Sequence, residues 1–233
     1  MKKLTILALT GLIPLQIFAG PMTISNPSFE DSTVGPDSGS IWDTVIDNWF
    51  MENHDGSDFT ANNTEVAQRR NENNMPTVPD GDQWANLNQS SATAGIYQAV
   101  GTYSEDWAYT FNDFTVSQRS NQPFVGVTVA IYAGDFSGEN NTPLNATFLD
   151  SETINQNVFS AAGVAENYVV PSFTLNSGNV SALVGETLWL RISTTGEGHH
   201  LVDNLNVTAI PEPSTILLLG ITLGSLAIFR RRR

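Results

Sequence analysis

Carboxylates and tryptophans are the side chains in this chain with chemistry to offer. Asp55 and Asp58, Asp80 and Asp82, and Asp135 and Glu139 are close carboxylate pairs, but none completes the spacing of oxygen donors in an EF-hand loop. His199 and His200 are adjacent, and neighbours in an extended chain point to opposite faces, so they do not ligate one metal together. No GxSxG elbow, HExxH pair or phosphate-binding glycine loop occurs. Two carboxylates distant in sequence can still meet as a glycosidase pair, which keeps a hydrolase as the alternative to a binding protein. The tryptophans say more. Trp84 alternates onto one strand face with Asn86 and Asn88, opposite Ala85 and Leu87, while Trp189 shares a face with Arg191. A flat ring flanked by amides suits a sugar, whose apolar face stacks and whose hydroxyls need donors and acceptors. The alternative for either tryptophan is a place in the core.

Holding such faces requires strands, and the chain supplies them. Gln83 to Asn88, Ile96 to Val100, Thr147 to Ile154, Val169 to Leu175, Thr187 to Ser193 and Leu201 to Val207 all read as short strands between Asn, Gly, Ser and Pro clusters. Trp107, Tyr109 and Phe111 alternate before the phase shifts to Phe114 and Val116, which predicts a bulge near Asn112 and Asp113. Val125, Val127, Val129 and Ile131 alternate with the β-branched content of a central strand. No helical stripe appears between the two ends, so the fold class is all-β: a single β-sandwich, of the jelly-roll kind. The polar stretch from Glu52 to Asp82 is a long irregular segment running into the Trp84 strand, and we read it as facing a ligand or ion. If Leu201, Leu205 and Val207 point inward, Asp203 points inward with them and needs either backbone N–H partners or a metal.

The two ends read as signals. Lys2 and Lys3 followed by the apolar run Leu4 to Ile13, with a cut after Ala19 or, alternatively, after Gly20, have the form of a secretory signal peptide over 1–19. The last segment, 210–233, consists of Pro211, Glu212 and Pro213, an apolar run from Ile216 to Phe229, and four arginines, Arg230 to Arg233. At about 1.5 Å per residue that run makes a short helix of roughly 21 Å, below the ~30 Å hydrocarbon thickness, with arginine snorkelling able to bridge one end. The rigid Pro-Glu-Pro belongs at the water side, where an enzyme can reach it. Between the signals, 20–209 has the length of one domain.

Every lysine lies in the N-terminal signal. From Gly20 to Ile210 the basic side chains are Arg69, Arg70, Arg119 and Arg191 against 23 Asp and Glu, a net charge of −19. Such a surface repels phosphate backbones and excludes nucleic acid as a partner, while it tolerates cations. With no cysteine, stability after export rests on an apolar core or hard-cation clips.

The arrangement of Pro211-Glu212-Pro213, short apolar helix and arginine cluster resembles the PEP-CTERM sorting signal. That resemblance implies an exported protein, anchored transiently in the inner membrane, processed by an exosortase-type enzyme and released to the cell surface or extracellular matrix. A second resemblance covers most of the mature chain. Asn26-Pro-Ser-Phe-Glu30, Gly81 to Gln89 with Tyr97-Gln98, and Val202-Asp203-Asn204 are similar to motifs of the galactose-binding-like jelly rolls, which include carbohydrate-binding modules. It implies a structural calcium ion held by Glu30 and Asp203. Together these readings give a non-enzymatic surface or matrix protein binding exopolysaccharide or surface components, with Trp84, Asn86 and Asn88 as ligand contacts. The alternative is a secreted hydrolase acting on such polymers.

Overall fold

The structure, a computed structural model, describes residues 22–31, 42–43, 46–51, 65–70, 75–89, 95–135, 146–194, 196 and 198–211. The expected signal peptide, the apolar tail and the residues Glu212 and Pro213 lie outside the described residues. Among the described residues no helix is long and apolar enough to cross a membrane.

Among the described residues, antiparallel strands form three sheets. β1 (Trp42–Asp43), β3 (Glu65–Arg70), β4 (Gln83–Gln89), β13 (Gly198–Asp203), β7 (Thr115–Gln118) and β10 (Glu166–Val169) form a six-stranded sheet in that order. β2 (Phe50–Met51), β5 (Gly95–Thr102), β12 (Thr187–Thr194), β8 (Gly126–Ala133) and β9 (Thr147–Asn155) form a five-stranded one. β11 (Phe173–Asn176), β6 (Trp107–Asn112) and β14 (Asn206–Pro211) form the third. The two large sheets face each other because each strand turns one set of alternating apolar residues inward. Ala85, Leu87, Val116 and Val202 meet Ile96, Val100, Val127, Val129, Ile131, Leu188, Leu190 and Ile192 in one core. The all-β sandwich expected from the alternation is the fold observed.

Four local expectations are corrected. The segment from Val169 to Leu175 is two strands, β10 and β11, interrupted at Val170 to Ser172, where Pro171 has no N–H for a ladder. Near Asn112 the chain makes a turn instead of a bulge: Asp113 takes φ 55°, and the chain passes from the three-stranded sheet to the six-stranded one. The last strand also divides, at Asn204 with φ 56°. That turn resets the alternation, so Leu205 enters the main core while Leu201 and Asp203 point to the opposite face of the six-stranded sheet. Val202 and His200 are the inward residues of β13. Finally, β14 carries the fold to Pro211, past the boundary expected at 209.

His200 ties the two sheets. Its Nε2 accepts from the backbone N–H groups of Val125 (3.1 Å) and Gly126 (3.4 Å), and its Nδ1 donates to the Leu87 carbonyl at 3.2 Å. Burial pushes its pKa down to about 4, so the ring is neutral at pH 7. His199 is half-buried on the other face, and the adjacent histidines point apart as expected.

Candidate ligand faces and an acidic corner

The outer face of the six-stranded sheet is crossed by a strap, residues 75–82, the last part of the long polar segment. Met75 and Val78 pack on Trp84 and Leu201. Asn167 Nδ2 donates to the Thr77 carbonyl at 2.7 Å. Asp80 N–H donates to Asp203 Oδ2 at 3.0 Å.

At the end of the strap, Glu30 lies near enough to Asp203 for its charge to act on the Asp203 carboxyl. Glu30 Oε1 accepts from the backbone N–H groups of Asp82 (2.8 Å) and Gln83 (2.7 Å), and Oε2 accepts from Gln83 Nε2 at 3.3 Å. Asp203 Oδ1 accepts from Asn204 N–H at 2.7 Å. Gly81 makes this possible: its φ is +73°, and a Cβ there would run into the Glu30 carboxylate. Burial raises the Asp203 pKa to about 7; the N–H groups of Asp80 and Asn204 oppose the shift, and the charges of Asp80 and Glu30 add to it.

The backbone-bonded alternative for Asp203 is therefore realised. Asp203 Oδ1 and Oδ2 and Glu30 Oε2 each accept one bond and keep a lone pair free, while Glu30 Oε1 accepts two, and a hard cation at this corner would offset the repulsion of Asp80 and Glu30 on Asp203. Among the described residues no three His, Cys, Asp or Glu side chains converge to hold a metal by themselves. A calcium ion at this corner would take oxygens from Glu30 and Asp203 and complete its shell with carbonyls and water, a donor set that suits calcium better than softer metals.

Trp84 does not offer a stacking face: it is 0 % exposed beneath the strap, and the expectation of an open sugar platform there is corrected. The strap covers the face because Met75, Val78 and Leu201 bury their own apolar surface against the indole. Among the described residues, Asn86, also fully buried, has neither amide atom bonded, and the Trp84 indole N–H has no acceptor. Such groups call for water or a ligand. The Asn88 side chain lies outside the described side chains.

The second tryptophan leads elsewhere. On the outer face of the five-stranded sheet, each strand contributes one aromatic ring: Phe50, Tyr97, Trp189, Tyr132 and Phe148, in spatial order β2, β5, β12, β8, β9. Phe50 lies opposite Tyr97, with rings 5.4 Å apart and stacked at 21°. Tyr97 meets Trp189 edge-on at 5.7 Å. Trp189 is in register with Tyr132, and Tyr132 with Phe148, whose rings are 5.6 Å apart. The indole N–H of Trp189 donates to the Gly134 carbonyl at 2.9 Å and fixes the ring. The two ends are open, Phe50 and Phe148 each being 53 % exposed; between them Trp189 and Tyr132 are half-buried and Tyr97 is buried, at 3 % exposure. Arg191 lies on the same face, opposite Tyr97. At about 4.8 Å between strands the row is roughly 19 Å long. Trp189 with Arg191 was legible in the alternation; the other four rings lie on four separate strands, and only the strand order aligns them.

Comparison with known proteins adds the tail and the fold. Residues 209–233 match the PEP-CTERM protein-sorting motif. The chain carries a PEP-CTERM sorting motif. It marks an exported protein sorted to the cell surface, of the kind that an exosortase-type enzyme processes. No curated protein sequence matches the chain. Among solved structures, an apo form cyclase from Fischerella sp. superposes with TM-score 0.59 at 17% identity, covering 83% of this chain and 98% of that one. A cyclase from Fischerella sp. TAU gives TM-score 0.58 at 16% identity over 83% and 98%. TmCBM61 in complex with beta-1,4-galactotriose gives 0.39 at 13% identity over 82% and 99%, so carbohydrate-binding modules are also among the neighbours. At these identities the cyclases bear on the fold alone.

Proposed function

We infer that this PEP-CTERM protein is a non-enzymatic surface or matrix protein that binds exopolysaccharide through the aromatic row of the five-stranded sheet. The observation carrying the reading is the row itself: five adjacent strands each bring one ring to the same sheet face, open at Phe50 and Phe148, half-buried at Trp189 and Tyr132, with Tyr97 buried among them. Pyranose rings stack on such rings through their C–H faces, and adjacent strands repeat at about 4.8 Å, close to the length of a sugar residue. With a net charge of −19 between the two signals, the surface favours a neutral polymer over an anionic one. Glu30 and Asp203 do not form an acid/base pair poised for substrate, because their oxygens accept backbone and amide N–H groups beneath the strap. Calcium at this corner is structural in the same reading. The segment 1–19 directs export; the tail anchors transiently in the inner membrane and is processed at Pro211 to Pro213 by an exosortase-type enzyme.

Affinity electrophoresis on immobilised neutral and acidic exopolysaccharides, beside an activity screen on the same polymers, tests it. Phe50→Ala with Phe148→Ala removes two exposed rings, so binding falls while melting stays nearly unchanged. Retained binding in that variant, or depolymerisation by the wild type, overturns the reading.

A further inference from the structure

The sorting motif begins inside the folded domain. Residues 209–233 carry the motif, yet Ala209, Ile210 and Pro211 are the last residues of β14, opposite Tyr109, Ala108 and Trp107 of β6. No linker separates the sheet from the Pro-Glu-Pro: Glu212 follows Pro211 directly. On the other side, Glu212 to Thr215 precede the apolar run at Ile216 and span at most about 14 Å when extended. The domain thus has little slack with which to step back from the motif.

We propose that strand pairing and processing compete for residues 209–211, so that the tail is cut only when the end of β14 peels from β6. This rests on the reading that the tail is processed. Processing breaks a peptide bond whose acyl half passes to water or to an amine, and the cleft that does so encloses an extended stretch on both sides of that bond. A strand still paired on one edge does not enter such a cleft. The end of β14 is suited to peeling. Among the described residues it is an edge strand bonded to β6 alone, Ile210 is 48 % exposed, and Pro211 has no N–H to give the last rung. Peeling from Pro211 back to Ala209 gives up only the small, half-buried Ala209 contact with the core, and it stops where the larger Val207 packs on the core and Leu205 is buried, with its N–H donating to the Pro27 carbonyl at 2.9 Å. The fold therefore sets how far the motif can be drawn out, and a domain that has formed its core keeps it after release.

Two full-length variants in the native host test this, read by intact mass of the membrane and released fractions over time. A flexible Gly-Ser hexamer inserted between Ile210 and Pro211 moves the motif clear of the sheet, and processing becomes several-fold faster. Ala108→Cys with Ile210→Cys places two cysteines directly opposite each other in a chain that has none, so the one disulfide available clamps β14 to β6. The clamped chain accumulates uncut in isolated membranes, and reductant restores cleavage, which separates a clamp from a misfolded chain. Cutting of both variants at the wild-type rate overturns the competition while leaving tail processing intact. A wild-type chain that keeps Arg230 to Arg233 throughout overturns both.

Discussion

Asp203 Oδ2 accepts a 3.0 Å hydrogen bond from the backbone N–H of Asp80, joining the end of β13 to the strap that covers its outer face. Neither residue announces this. Asp80 sits in a run of polar residues, and the alternation puts Asp203 with the core unless the turn at Asn204 resets the phase. The bond holds down the strap that buries Trp84, and it leaves a carboxylate buried near two others.

The first prediction concerns pH. Asp203 has a pKa of about 7 in the fold against 3.8 as the ordinary value, so the folded state holds the extra proton between those values. Its contribution is present below about 4 and is lost as pH rises through about 7. His200 acts oppositely: with its pKa lowered from 6.5 to about 4, its contribution is present above 6.5 and is lost as pH falls through about 4. Each is worth a few kcal/mol at ~1.4 kcal/mol per unit, so the two slopes largely cancel in the wild type. Urea denaturation in chelator from pH 4 to 8 checks this. Asp203→Asn should expose a loss of stability on acidification and His200→Gln a loss on alkalinisation; parallel profiles for the two variants would contradict it.

The second concerns calcium. An ion binding the folded corner stabilises it by about 2.7 kcal/mol at roughly a hundredfold excess over Kd. The melting temperature at pH 8 should rise from chelator to millimolar calcium in the wild type and stay constant in Asp203→Ala. Equal wild-type values in both buffers rule the ion out.

The third concerns the unbonded polar atoms beside Trp84. A buried amide without partners costs about 1–3 kcal/mol, so Asn86→Leu, close in volume, should stabilise the domain by about that amount. Trp84→Ala, which empties a packed site, should cost about 3–5 kcal/mol. Chemical denaturation reads both. A destabilised Asn86→Leu would mean that ordered water already satisfies the amide.

The alternation of Ala85, Leu87, Val127, Val129, Ile131, Leu188 and Leu190 carried the sandwich, because a period of two is a local property that any strand displays. Trp84 also alternated correctly, onto the outer face. Its burial did not follow, because burial there depends on Met75 and Val78 arriving from a segment with no period of its own. Glu30 and Asp203 were brought together by motif likeness and not by spacing. The aromatic row was hidden for the opposite reason: each ring is ordinary in its own strand, and the strand order β2, β5, β12, β8, β9 is what no local pattern encodes.

The last prediction follows from the length of that row. The accessible rings of the row, Phe50, Trp189, Tyr132 and Phe148, reach across its length of roughly 19 Å and contact successive stretches of one polymer, so each ring engaged adds to a complex already formed instead of paying again for association. Affinity for oligomers of a neutral polysaccharide should therefore climb with length until the chain spans the row, then level off. Phe148→Ala removes the ring at one edge, so its curve should level off at a shorter oligomer, with the affinity for the shortest ligands little changed. Trp189→Phe keeps a ring but loses the 2.9 Å bond to the Gly134 carbonyl that fixes it, so it should weaken oligomers of every length. Calorimetric titration with a graded series separates these outcomes. A monosaccharide bound as tightly as a long oligomer would place binding in a single pocket and remove the row from the mechanism.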